Sequence, residues 1–150
     1  FELKVERAFS LIELLVVVAI IGVLAVLGVN VYSGFQDSAK AKVSRTIFSN
    51  VEDFVKSEIA KCHLGEEKIF DDNLSCSGRT GTLTVRAAER TLRDFKNPYN
   101  TSQNAVVIGD KYIKGFVYIT ASNQNVILHA CFKDSCGNDA NKDGAIIKID

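Results

Sequence analysis

Phe9-Ser10-Leu11-Ile12-Glu13-Leu14-Leu15-Val16-Val17-Val18-Ala19-Ile20-Ile21-Gly22-Val23-Leu24-Ala25 is the stretch that decides the architecture. It opens a run of 23 residues without a formal charge, Leu14 to Gln36. A helix of about 20 apolar residues spans the hydrocarbon core of a bilayer. The run is longer than a strand can use, and a helix buried in a soluble core seldom lacks a polar face over such a length. It therefore reads as a transmembrane helix. Lys4 and Arg7 precede it and hold the N-terminus in the cytoplasm by the positive-inside rule. A cleaved secretory signal would be shorter and would end in small residues at its cut site. Here the run passes directly into further helix-forming sequence. Glu13 is out of place in it: a carboxylate at the end of a membrane helix needs a partner.

Working outward, the whole chain of 150 residues carries 18 basic and 18 acidic side chains and 47% apolar residues. That length allows one globular domain. Zero net charge argues against a general electrostatic nucleic-acid binder, and the composition is not that of a disordered chain. The averages hide two unlike pieces. Residues 1–36 carry only Glu2, Lys4, Glu6, Arg7 and Glu13, while the remainder carries 16 basic and 15 acidic side chains. The sequence has no Met, so Phe1–Ala8 is expected to be the rest of a short leader.

Beyond the run, Phe35, Ala39, Val43, Ile47, Val51, Val55, Ile59 and Cys62 recur at spacings of four and finally three, which predicts one helical face. Phe48 and Phe54 widen it, and Lys40, Lys42, Arg45, Glu52, Asp53 and Lys56 fall on the polar side. A single helix from about Phe9 to Cys62 follows. Cys62–Gly81 reads as a loop. Thr84–Phe95 reads as a short helix capped by Thr84, with Val85, Ala88, Leu92 and Phe95 as its apolar face. Strands are expected at Ala105–Ile108, Gly115–Thr120, Val126–Phe132 and Ala145–Ile149, with Gly109-Asp110 and Ser122–Asn125 as turns. The expected fold class is α+β, a long N-terminal helix packed on an antiparallel sheet.

Residues Ala8 to Ala25 together resemble the N-terminal motif of type IV pilins and the related secretion pseudopilins. The resemblance implies a leader at residues 1–8, cleavage between Ala8 and Phe9 by a prepilin peptidase, and methylation of the new Phe9 amine. It implies a membrane and filament-core helix over residues 9–36 and a head over residues 37–150. Glu13 would pair with the Phe9 amine of a neighbouring subunit, since a charge pair in a low-dielectric core is strong only when complete. The protein would sit in the inner membrane before assembly. It would then form a homo-oligomeric helical filament outside the cell through the pilus assembly machinery. Members of the family serve adhesion, twitching motility, DNA uptake or secretion. The alternatives are a type II secretion pseudopilin, or a membrane-anchored extracytoplasmic binding domain. Two positions depart from the family pattern: Ala8 replaces the usual Gly, and Asn30 stands where many pilins have Pro. Gly22 and Gly28 would still loosen the helix.

Nearest-neighbour pairing of the four cysteines gives Cys62–Cys76 and Cys131–Cys136, one of three possible connectivities. The second would resemble the C-terminal disulfide loop of many pilins. Zinc spacing is a poor match. Asp139–Asp150 follows the calcium-loop pattern, with Asp139, Asn141, Asp143, the Ala145 carbonyl and Asp150 as oxygen ligands and Gly144 at the turn. A Ca²⁺ ion there is the one candidate cofactor; a polar turn into the last strand is the other reading of the same residues. His63 and His129 belong to no nucleophile–base set, and no phosphate loop or metal-protease motif occurs, so no enzyme is expected.

Overall fold

The computed structural model describes residues 9–150, with Asn30 described by its backbone alone. The expected leader Phe1–Ala8, and with it the Ala8 side of the cut, lies outside the described residues. Two compact units divide at Ser38/Ala39. Helix α1, Leu11–His63, is a single element of 53 residues, unbroken at Gly22, Gly28 and Asn30.

In the second unit α1 supplies one wall of the core. Ala41, Ser44, Ile47, Phe48, Val51, Val55, Glu58 and Ile59 are buried. This departs from the expected stripe at its start: Phe35 is 71% exposed and Val43 48%. The reason is geometric. A helix turns about 100° per residue, so a strict walk of four drifts by roughly 40° per step. The real face alternates steps of three and four, which drops Val43 and takes in Ser44 and Glu58. Arg45, expected on the solvated side, instead lays its guanidinium over the Phe132 ring at 4.5 Å and donates to the Ala140 carbonyl at 2.8 Å.

The Cys62–Gly81 segment contains a small hairpin that was not foreseen, β1 (Lys68–Ile69) with β2 (Leu74–Ser75). Its loop buries Phe70 against Phe54, with ring centroids 5.8 Å apart. Helix α2 is Gly81–Thr91, three residues earlier than expected. Its cap is Thr80, whose side chain accepts the Leu83 N–H at 3.3 Å; Thr84 is fully buried inside the helix and bonds back to the Thr80 carbonyl. The helix start lies so close to the sheet that a Cβ on Gly81 would fall 2.7 Å from the Asn123 carbonyl. The expected apolar face survives: Val85, Ala88 and Leu92 are buried and Phe95 packs against them.

A short ribbon, β3 (Lys96–Asn97) with β4 (Asn100–Asn104), precedes the main sheet. That sheet has the order β5-β6-β7-β8, with β5 Val106–Ile108, β6 Val117–Ser122, β7 Asn125–Cys131 and β8 Lys142–Lys148. It is mixed rather than purely antiparallel, because β5 pairs parallel to β6. Parallel neighbours ordinarily need a long crossover. Here β5 is only three residues long, so residues 109–116 suffice to carry the chain back. The return is anchored on the outer face of β7, where Tyr112 stacks edge-on with His129 and its hydroxyl lies 2.8 Å from His129 Nδ1. The return ends at Gly115 (φ +81°), where a Cβ would clash with Asn97 Oδ1 at 2.1 Å. The inner face is apolar by strand alternation: Val117, Ile119, Val126, Leu128, Ala130 and Ile147 are buried.

Both expected disulfides form, Cys62–Cys76 and Cys131–Cys136, with Cα–Cα distances of 5.5 and 5.6 Å. The first ties the end of α1 to β2; the second closes a tight turn after β7. In the chain-entropy account, replacing the first pair by Ser is expected to cost the Ala39–Asp150 unit about 3 kcal/mol and the second, shorter loop about 2 kcal/mol, read by urea unfolding.

Two buried polar groups on α1 give a second, opposed pair of predictions. Glu58 accepts the buried Phe70 N–H and binds Lys61, whose ammonium its hydrogen bond holds above the usual lysine value. Ser44 Oγ is buried and, among the described residues, has no hydrogen-bond partner. Glu58→Ala is expected to destabilise the unit by about 1–3 kcal/mol, since it strands a buried N–H. Ser44→Ala is expected to be neutral or stabilising by up to about 1 kcal/mol, because it removes an unmet hydroxyl. Urea midpoints of the two variants moving in the same direction would contradict this account.

Candidate functional site

Ser10 ends the non-helical entry and Leu11 begins α1, so four backbone N–H groups there lack helical partners. Ser10 and Glu13 satisfy two of them reciprocally. The Ser10 hydroxyl accepts the Glu13 N–H at 3.3 Å, and the Ser10 N–H donates to Glu13 Oε2 at 2.9 Å. The Ser10 hydroxyl also lies 2.9 Å from the same Oε2. This is a capping box. Its signal is present in the sequence as Ser-x-x-Glu directly before an apolar run, and it gives Glu13 an intrachain role beside the expected intermolecular one. Among the described residues, Glu13 Oε1 has no hydrogen-bond partner.

Around this box the surface is apolar. Phe9 is 80% exposed, and the large apolar side chains described between Leu11 and Phe35 range from 45% to 82% exposed. Among the described residues of the first unit, none covers them. The helix is long and apolar enough to cross a membrane. Gly22 and Gly28 have open space where a Cβ would stand, so no close packing within the chain requires glycine at either place.

The calcium-pattern residues are not brought to one point. Lys142–Lys148, the middle of the pattern, is strand β8 rather than loop. Its alternate residues Ala145 and Ile147 are drawn to the core face opposite Leu128 and Val126, and this two-residue period overrides the loop pattern. Asp143 and Asp150 are thereby separated by roughly 20 Å of extended chain. Asp150 lines a small cavity with Cys76, Arg79 and Gln124 instead. Asp139 pairs with Lys142 at 3.0 Å, Asn141 donates to the Asp134 carbonyl at 2.9 Å, and Asp143 accepts the Gly144 N–H at 2.8 Å. Among the described residues, no three His, Cys, Asp or Glu side chains are grouped to hold a metal ion. His63 ends α1, and His129 Nδ1 lies against the Tyr112 hydroxyl.

Ser10→Ala removes the hydroxyl that serves as both acceptor and donor in the box. It is expected to weaken the helix start by about 1 kcal/mol. Amide exchange at Ile12–Leu14 in detergent micelles should quicken roughly fivefold, and Ser10→Thr should restore it.

No curated protein and no solved structure matches the chain. A family model does match its N-terminus, over less than a fifth of its length. Residues 3–29 match the prokaryotic N-terminal methylation motif, which is typical of type IV pilins and pseudopilins.

Proposed function

We infer that the protein is a structural subunit of a type IV pilus filament. The motif implies processing by a prepilin peptidase, and pilin-like proteins are generally structural rather than enzymatic. The observation that carries the reading is the exposed apolar length of α1 directly behind that motif. Each buried Leu, Ile or Val side chain gains about 1.5–3 kcal/mol on leaving water, so this surface is covered by lipid first and by other copies of the chain after assembly. The subunit is cut before Phe9, methylated on the Phe9 amine, held in the inner membrane and then packed into an extracellular helical filament. Glu13 meets the Phe9 amine of a neighbouring subunit and sets the register. The two disulfides suit a head that works in an oxidising compartment.

Electron microscopy of sheared surface material, with mass spectrometry of this protein's N-terminus, tests the reading. The expected result is filaments whose subunit begins at a methylated Phe9. Glu13→Ala should leave the protein inserted in the membrane while filament yield falls at least tenfold. Normal filaments from that variant would remove Glu13 from assembly.

A further inference from the structure

Two asparagines stand in the Asn-x-Ser/Thr pattern that accepts N-linked sugar: Asn73-Leu74-Ser75 and Asn100-Thr101-Ser102. The fold treats them differently. Asn73 lies in the loop between β1 and β2, and its side-chain amide donates to the Phe70 carbonyl at 2.7 Å and the Asp71 carbonyl at 3.4 Å. Leu74 is buried and paired with Ile69, Ser75 is paired with Lys68, and the next residue is cross-linked to Cys62. The nitrogen that would react is occupied, and the residues after it are held in a ladder.

Asn100 has the opposite arrangement. It begins β4, and Asn100, Thr101, Ser102 and Gln103 are all exposed. The ribbon pairs only at Asn97↔Asn100 and Lys96↔Asn104, so Thr101, Ser102 and Gln103 bulge outside the ladder. Asn100 Oδ1 accepts the Ser102 N–H at 3.2 Å and the Ser102 hydroxyl at 2.6 Å. The Nδ2 amine makes no hydrogen bond among the described residues. Two donors on Oδ1 draw electron density from the carboxamide and make the Nδ2 protons easier to remove, which is the activation that a poorly nucleophilic amide needs.

We propose that Asn100 is the acceptor of an N-linked glycan on the exported head. The donor is a sugar carried on a polyprenyl pyrophosphate and handled by a membrane-bound oligosaccharyltransferase. Asn100 Nδ2 attacks the anomeric carbon and the N–C1 bond forms. The bond from C1 to the phosphate oxygen breaks, and the polyprenyl pyrophosphate leaves with that electron pair. One Nδ2 proton passes to a base of the transferase, and nothing is oxidised or reduced. A sugar at this bulge coats a polar surface already free of core contacts, so the fold loses nothing by carrying it.

The test is peptide mass spectrometry of the full-length protein isolated from the cells that make it. The tryptic peptide spanning residues 97–111 is expected to carry a glycan mass. An amidase that releases N-linked glycans should return it with Asp at residue 100. Asn100→Gln and Ser102→Ala should each abolish the addition, while the peptide containing Asn73 stays at its bare mass. A bare residue 97–111 peptide overturns the proposal. So does sugar on Asn73, or sugar that survives both the amidase and Asn100→Gln, which would be linked to a hydroxyl. The oxidation state of Cys62 and Cys76 in the same digest reports export separately: oxidised cysteines beside a bare Asn100 refute the modification alone, and reduced ones also count against the extracytoplasmic placement.

Discussion

Twenty-three consecutive residues without charge lie on one helix, and the large apolar side chains described among them are exposed. On the filament reading, something outside the chain has to keep them from water. A bilayer covers such a helix, and so does a bundle of like helices. Transfer between the two is nearly neutral in apolar terms, since lipid tails are as apolar as Leu. On the filament reading, the apolar surface holds the subunit out of water in both places and does not choose between them. The choice falls to polar groups at the end of the helix.

Ser10 and Glu13 are those groups. The capping box closes backbone donors that would otherwise stand open in a low-dielectric setting, where each unmet group costs several kcal/mol. It also fixes the carboxylate, because Oε2 is held from two directions by Ser10. A carboxylate with one oxygen committed to its own chain and the other uncommitted presents its charge in a set direction. On the filament reading, an intermolecular partner meets a pre-oriented acceptor and gives up less side-chain entropy on pairing.

What was legible in the sequence follows the strength of each local signal. The uncharged run, the single long helix and the inward strand positions could be read because period and length state them directly, while the disulfides follow the nearest-neighbour pairing, one of three connectivities open in the sequence. The α1 stripe was misread at Val43 because a four-residue repeat imitates a helical period over two turns and drifts over six. Thr84 reads as a cap because it directly precedes Val85, but the helix begins at Gly81 with Thr80 as its cap, where only a glycine admits the close approach to Asn123 O, a tertiary contact. The parallel pairing of β5 rests on the anchoring of Tyr112 to His129, which no local pattern announces. The calcium pattern failed to gather its ligands because Ala145 and Ile147 carry a strand signal at the same positions. The capping box is legible as Ser-x-x-Glu, but the intermolecular role expected of Glu13 drew attention from it.

Glu13 and Glu58 show how one chemical group is put to two uses on the same helix. Each accepts a backbone N–H, from Ser10 and from Phe70. Glu58 is buried, and its other oxygen is taken by Lys61. Its charge is consumed inside the head, where an uncompensated carboxylate would be strongly destabilising. Among the described residues, Glu13 keeps Oε1 uncommitted at an exposed helix start, before a surface that none of them covers. A buried carboxylate with both oxygens engaged has nothing to offer another molecule. On the filament reading, a half-engaged one beside an exposed apolar face is completed by a donor from a second molecule.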